Sequence, residues 1–298
     1  MYAIFGSVIL GWSETMPNIG LVLSGGFAKG AYQVGVLRAI GECLGDERIK
    51  YISASSVGVL NAYAFVHGKM DPVEQMWRNA RFTGLRSFVN TYVRSHYISN
   101  AIKDVACGFS QEQKYFYAAY LDVTRLRLDY VNLGDTDPKR INDYLQASVS
   151  LPIFSKPVEI AGTKYADGAV VDNIPVKPLM GHPFDYAIVV HFDQHNYVFE
   201  NSYFDGKLIK INFLDDKIFR DSLAFDNDSI SSMIESGFEE SMTIFDMIFK
   251  NGLDDVEYIY HKIKFLSELR GKKSFRLTGD IVVNNMNKAL KKIVKSRI

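Results

Sequence analysis

Cysteine is nearly absent. Only Cys43 and Cys107 occur in 298 residues, which excludes a disulfide-stapled scaffold and a cysteine-rich zinc module. The six histidines are scattered, and none falls in a spaced metal motif such as H-E-x-x-H, so neither a metal nor a cofactor is expected. No apolar run is long enough to cross a bilayer. The opening stretch from Tyr2 to Trp12 is too short, and it lacks the Lys or Arg that begins a secretory signal. The expectation is a cytoplasmic protein, peripheral at a membrane at most. Net charge is absent too, with 34 basic against 34 acidic residues, and no nucleic-acid partner is expected. Low-complexity tracts and internal repeats are missing, which argues against disorder and against a solenoid.

What is present, 47% hydrophobic and 23% charged residues, suffices for a sizeable core in one large domain or one domain with an appendage. The charges are unevenly placed. From Tyr258 to the end there are eleven Lys or Arg against Glu268 and Asp280, an asymmetry that suits a tail meeting an anionic surface. The expected division is an N-terminal extension over 1–17, an α/β domain over 18–250 and a helical basic segment over 251–298. That segment ends in an amphipathic helix from about Val283 to Lys295, in which Met286, Leu290, Ile293 and Val294 oppose Lys288, Lys291, Lys292 and Lys295.

The chain is organised around Ile52 to Ala62, which reads as strand, sharp turn, then helix. A serine at such a turn projects from the end of a sheet, and small residues two positions before and after it let the backbone through a strained elbow. Ala54 and Gly58 hold those positions about Ser56. Were Ser55 the apex, Val57 would crowd the turn. A capped strand-to-helix turn is the plainer alternative. Upstream, the buried-strand pattern of Ile19 to Leu23 runs into Ser24-Gly25-Gly26-Phe27-Ala28-Lys29-Gly30. A helix with Tyr32, Val36, Leu37 and Ile40 on one face follows, to about Leu44. Such a loop leaves backbone N–H groups at the positive end of a helix dipole. A phosphate loop would continue G-K-[ST] where Gly30-Ala31-Tyr32 stands, and a dinucleotide loop would have glycine at Phe27. A transient oxyanion fits better.

Further along, strands are expected from Lys114 to Thr124, with a hairpin partner from Asp129 to Leu133, and from Asp185 to Phe192, a central parallel strand. Asp71-Pro72 and Asp137-Pro138 are each expected to open a helix, with Asp as cap and Pro first. Ala147 to Phe154 is irregular. A hairpin of Pro157 to Ile160 with Lys164 to Ala166 ends on Asp167-Gly168-Ala169, where the acid is either a turn former or a base near the serine. The loop from Gln194 to Gly206 carries Tyr197, Phe199, Tyr203 and Phe204, which either rim a lipid site or pack under a neighbour. A long helix is striped by Ile230, Met233, Ile234, Phe238, Met242, Phe245 and Phe249. Strands alternating with helices make the class α/β.

In order and spacing these stretches resemble the patatin-like phospholipases, from about Asn18 to at least Gly237. Leu23 to Tyr32 is similar to that family's glycine-rich oxyanion loop, with Gly25, Gly26, Phe27, Lys29 and Gly30 as its members, and Ala54 to Gly58 to its nucleophile elbow. Ala147 to Phe154 is similar to its stretch that opens A-S-x-x-x-P and closes on Phe, and Asp167 to Ala169 to its D-G-[GA] motif. The resemblance implies a three-layer α/β/α fold with a mainly parallel central sheet. It also implies a lipid acyl hydrolase acting on a phospholipid or other lipid ester through an acyl-enzyme on Ser56, with Asp167 as base in a dyad without histidine. Burial can raise a carboxylate's pKa far enough for that task. An ordinary α/β-hydrolase would instead use one of His182, His191, His195 and His261 downstream. Phe27 replaces the family's usual third glycine and Ala54 its first elbow glycine, and phenylalanine is costly wherever positive φ is required. A member that binds or regulates without catalysis, and an esterase or acyltransferase for small substrates, are the rival readings.

Overall fold

The computed structural model of the protein describes residues 16–79, 82–83, 96–107, 115–152, 154–192, 196–199, 201–213, 224–225, 227–269 and 274–277. Strand β1 (Ile19–Leu23) is buried along its whole length, as an apolar run without alternation requires. It leads through the glycine-rich loop into α1 (Gly30–Cys43). Strand β2 (Ile49–Ser55) then turns at Ser56 into α2 (Val57–Val66). Helices α3 (Met70–Arg78) and α4 (His96–Ala106) precede β3 (Tyr115–Asp122) and its antiparallel partner β4 (Arg127–Asn132). After α5 (Ile141–Ser148) come the hairpin β5 (Val158–Ile160) and β6 (Thr163–Asp167), then β7 (Tyr186–His191) and β8 (Leu208–Asn212). Helices α6 (Asn227–Ile248) and α7 (Val256–Leu269) follow.

These strands form an eight-stranded sheet in the order β8-β7-β1-β2-β3-β6-β5, with β4 also paired to β3. The first four pairings, from β8 to β3, are parallel, and those of β4, β5 and β6 are antiparallel. The sheet is thus the mainly parallel one expected, with an antiparallel margin. One face carries the principal core, where α1, α2, α3 and α6 bring Tyr32, Tyr63, Trp77 and Ile234 onto Leu21, Leu23, Ile52 and Ile188. Burial of each such side chain is worth about 1.5–3 kcal/mol. The other face has a thinner cover, in which Val176, Leu179, Phe184 and Phe204 lie over Val22, Tyr51, Ala187 and Val189. Ile259 and Ile263 of α7 join the principal core.

Two expectations are corrected. Helix α3 begins at Met70 with Lys69 as an unassisted cap, so Asp71 does not cap it. Pro72 is tolerated in the first turn because its missing N–H would have had no partner there. Asp137, in the same dipeptide, does cap a 3₁₀ turn by accepting from Lys139 N–H at 3.0 Å. The aromatic loop after Phe192 is also partly regular: Asn196–Phe199 pairs in parallel with Ser274–Leu277, and Ser202–Asp205 makes a helical turn. Phe204 there is buried edge-on against Phe184, while Tyr203 is exposed. The opening extension, the stretch around Arg86 and Arg94 and the basic helix from Val283 to Lys295 lie outside the described residues.

Candidate active site

Ser56 stands at the carboxyl end of β2 with φ 54° and ψ −135°, a backbone that costs a non-glycine residue on the order of 1–3 kcal/mol. The turn is tight because α2 starts flush against the end of β1. A Cβ on Gly58 would lie 2.7 Å from the carbonyl oxygen of Ser24 and 2.8 Å from that of Leu23, so only glycine fits there. Ala54 is wholly buried between Leu23 and Ala118 of the flanking strands. The hydroxyl of Ser56 is therefore set by the elbow, on a nearly buried residue.

Asp167 reaches it through the register of β3. Along one edge β3 pairs continuously with β4 from Tyr117 to Asp122. Its other edge is shared: Tyr115 to Ala119 pair with β2, and Tyr120 to Asp122 with β6. Ser55 is opposite Ala119 and Asp167 opposite Tyr120, so the end of β2 abuts the end of β6. Ser56 Oγ donates to Asp167 Oδ2 at 2.6 Å. The other carboxyl oxygen accepts from Ala169 N–H at 2.9 Å, and Asp167 N–H is anchored on the Ser150 carbonyl at 2.9 Å, which gives the A-S-x-x-x-P stretch a place behind the acid. Burial pushes the Asp167 carboxyl up to about 7, against the pull of the bonds from Ser56 and Ala169. A carboxyl raised that far is in the range that suits a general base near neutral pH. His182 is placed otherwise, stacked on Tyr51 and bonded to Tyr117 Oη near the opposite end of β2.

The glycine-rich loop follows β1 on the side of Ser56 away from β3. Gly25 N–H is engaged by Ser55 Oγ at 2.9 Å and the Asn173 carbonyl at 3.2 Å, so this amide is already occupied within the protein. Gly25 is required for space: a Cβ would lie 2.7 Å from Asn173 Oδ1 and 2.8 Å from Ser56 Cβ. Gly26 packs its Cα against the Phe192 ring, and Gly30 opens α1 against Trp77. Lys29 Nζ lies 5.9 Å from the centre of the Phe192 ring. Phe27 has φ 51°, the left-handed backbone that its glycine-replacing position threatened, and the residue is 42% exposed. Relief of that strain is offset by the extra freedom of glycine in the unfolded chain and by the lost burial of the ring, so Phe27→Gly should change stability by less than about 1 kcal/mol. Urea unfolding checks this, with hydrolysis expected equal or faster. A loss of both stability and rate would show that the ring itself packs to purpose.

Sequence reasoning missed the supports. Gln33 Nε2 donates to the Ser24 carbonyl at 2.7 Å, Asn61 Nδ2 to Gln33 Oε1 and to the Gly30 carbonyl at 2.9 Å each, and Trp77 Nε1 to Asn61 Oδ1 at 3.1 Å. This chain ties both ends of the glycine-rich loop to α2 and α3. Its signal was two amides in otherwise apolar helix faces. On the other side Tyr130 Oη donates to Asp172 Oδ2 at 2.5 Å, holding the loop after Asp167 to β4. Desolvation raises the Asp172 carboxyl, with Tyr130 and the Ile174 N–H opposing.

Fold and site together define an α/β protein that carries a hydrogen-bonded serine–carboxylate pair at a strained elbow beside a glycine-rich loop. The patatin-like phospholipase family model matches residues 21–180, and the chain belongs to that family. Over 185 residues it is 24% identical to an uncharacterised NTE family protein of Mycobacterium tuberculosis, covering 59% of this chain and 49% of that protein. Over 187 residues it is 27% identical to the lysophospholipase nte1 of Aspergillus terreus, covering 58% of this chain and 12% of that protein. The matched region is thus about half of the mycobacterial relative and a small part of the fungal one. Among solved structures, VipD from Legionella pneumophila superposes with a TM-score of 0.48 at 13% identity, covering 94% of this chain and 77% of that one. Among the described residues no helix is long and apolar enough to cross a membrane.

Proposed function

We propose that the protein is a lipid acyl hydrolase in which Ser56 is the nucleophile and Asp167 the only side-chain base. The observation that carries this is the 2.6 Å bond from Ser56 Oγ to a fully buried carboxylate, which burial pushes up to about 7. Asp167 takes the hydroxyl proton as Ser56 Oγ attacks the ester carbonyl carbon, and the carbonyl oxygen becomes an oxyanion facing the glycine-rich loop, with Gly26 N–H as a donor. As the tetrahedral intermediate collapses, the bond to the alcohol oxygen breaks and Asp167 returns the proton to it. Water then attacks the acyl carbon, losing a proton to Asp167; the bond to Ser56 Oγ breaks, Asp167 returns the proton to that oxygen, and the fatty acid leaves. Family membership supports a phospholipid or related lipid ester as substrate. The test is release of free fatty acid from phospholipid vesicles by the wild-type protein and by Asp167→Asn. Equal release by both would remove the dyad.

Such an enzyme must reach an interface, and the basic C-terminal segment is the part of the sequence with the charge for it. Each Lys or Arg near an anionic surface contributes about 1 kcal/mol. Changing Lys288, Lys291, Lys292 and Lys295 to Gln should therefore weaken sedimentation with anionic vesicles and slow vesicle hydrolysis, while a soluble short-chain ester is cleaved as before. Equal losses on both substrates would assign that segment to the fold instead.

A further inference from the structure

We infer that Ser55, the neighbour of the nucleophile, is a positioning residue whose hydroxyl holds the three converging segments of the site in register. This rests on the Ser56–Asp167 reading. The elbow pattern assigns Ser55 nothing, yet its side chain is completely buried and its one oxygen makes two bonds. It accepts from Gly25 N–H at 2.9 Å and donates to the Asn173 carbonyl at 2.8 Å, while the same Gly25 N–H also reaches the Asn173 carbonyl at 3.2 Å. The three groups close a triangle, and each comes from a different segment: the end of β2, the glycine-rich loop and the loop that follows Asp167.

Only an atom that both donates and accepts can fill the Ser55 corner, which a hydroxyl does and an aliphatic side chain does not. Gly25 immediately precedes Gly26, and Asn173 lies six residues after Asp167, in the loop that follows it. The triangle therefore sets where the oxyanion donor and the base lie relative to Ser56 Oγ. Without the hydroxyl the loops persist, because Gly25 still contacts Asn173 and Asp172 is still held by Tyr130. They are then less tightly aligned. The expected cost is in rate rather than in folding, since a misplacement of about 1 Å can cost about a hundredfold.

The test is steady-state cleavage of a soluble short-chain ester by the wild type, Ser55→Ala, Ser55→Thr and Ser56→Ala, with active sites titrated by a fluorophosphonate and melting followed in parallel. Ser55→Ala should fold, with kcat per titrated site lowered about 10- to 100-fold, KM within about twofold, and fluorophosphonate labelling slowed in proportion. Ser55→Thr, which keeps the hydroxyl, should recover most of the rate. Should Ser55→Ala not accumulate as folded protein, Ser55→Cys carries the test, because its sulfur, larger than the hydroxyl oxygen, still fills the site but is a poor donor and acceptor and should also lower kcat. Wild-type kcat per titrated site in Ser55→Ala or Ser55→Cys, or a Thr variant no faster than Ala, overturns the inference. Activity surviving in Ser56→Ala would instead overturn the nucleophile assignment.

Discussion

Ser56→Ala is expected to lower ester hydrolysis by at least about 10⁴-fold, the scale on which loss of a serine nucleophile is felt when the remaining groups work only as a unit with it. The methyl group leaves Asp167 with no hydroxyl to deprotonate, and the remaining N–H donors and substrate contacts supply only residual acceleration. The fold should persist. Alanine adopts the φ 54° backbone at a cost similar to that of serine, and Gly58, Ser55 and the Gly25–Asn173 contact are untouched. Removing the hydroxyl also removes a bond that favours the ionised form of Asp167, so its carboxyl should titrate higher still in the variant. Initial rates with a soluble ester, beside a thermal melt, check the result. A rate within tenfold of wild type would place the nucleophile elsewhere.

Asp167→Asn should be nearly as damaging, about 10³- to 10⁴-fold, because the amide keeps the shape but cannot take a proton. Its effect on stability has the opposite sign and depends on pH. The carboxyl titrates at about 7 in the folded protein against 3.8 as its ordinary value. Between those values the folded chain retains a proton that the unfolded chain has released, so stability falls as pH rises from about 4 through about 7 and then levels off. Asn has no such group. The variant should therefore lack this fall, and at pH 8 it should be at least as stable as the wild type. The rate moves the other way with pH, since the ionised carboxylate is the base: kcat/KM should rise to a plateau above about pH 7. Urea midpoints at pH 5 and pH 8 and a pH–rate profile read both effects. An unimpaired Asp167→Asn, with activity lost instead in His191→Ala or His195→Ala, would make the site a triad.

The periodic parts of this fold were legible because burial writes itself into side-chain type. The apolar run of β1 read as a buried strand, the near-continuous one of β7 as a central parallel strand, and the stripe of α6 as one buried face. The elbow was legible for a different reason: Gly58 and the small Ala54 are demanded by close backbone approach, and Val57 disqualifies Ser55 as apex. The pairing of Asp167 with a serine 111 residues away came from resemblance to a family, because it depends on β2 and β6 sharing one edge of β3, which no local pattern encodes. Helix starts were ambiguous where the same Asp-Pro dipeptide had two outcomes, a true cap at Asp137 and none at Asp71. Least legible were contacts made by main-chain atoms. The Asn173 carbonyl and the Gly25 N–H carry no side-chain signature, and so the second role of a serine at the elbow went unread.

The most direct measurement is to quench the wild-type protein during turnover of a slowly deacylated ester, digest it and locate any added acyl mass. One acyl group on Ser56, absent from Ser56→Ala, is the result expected of a serine–aspartate acyl hydrolase. An acyl group on any other residue, or turnover with a product burst and no covalent adduct, would contradict it.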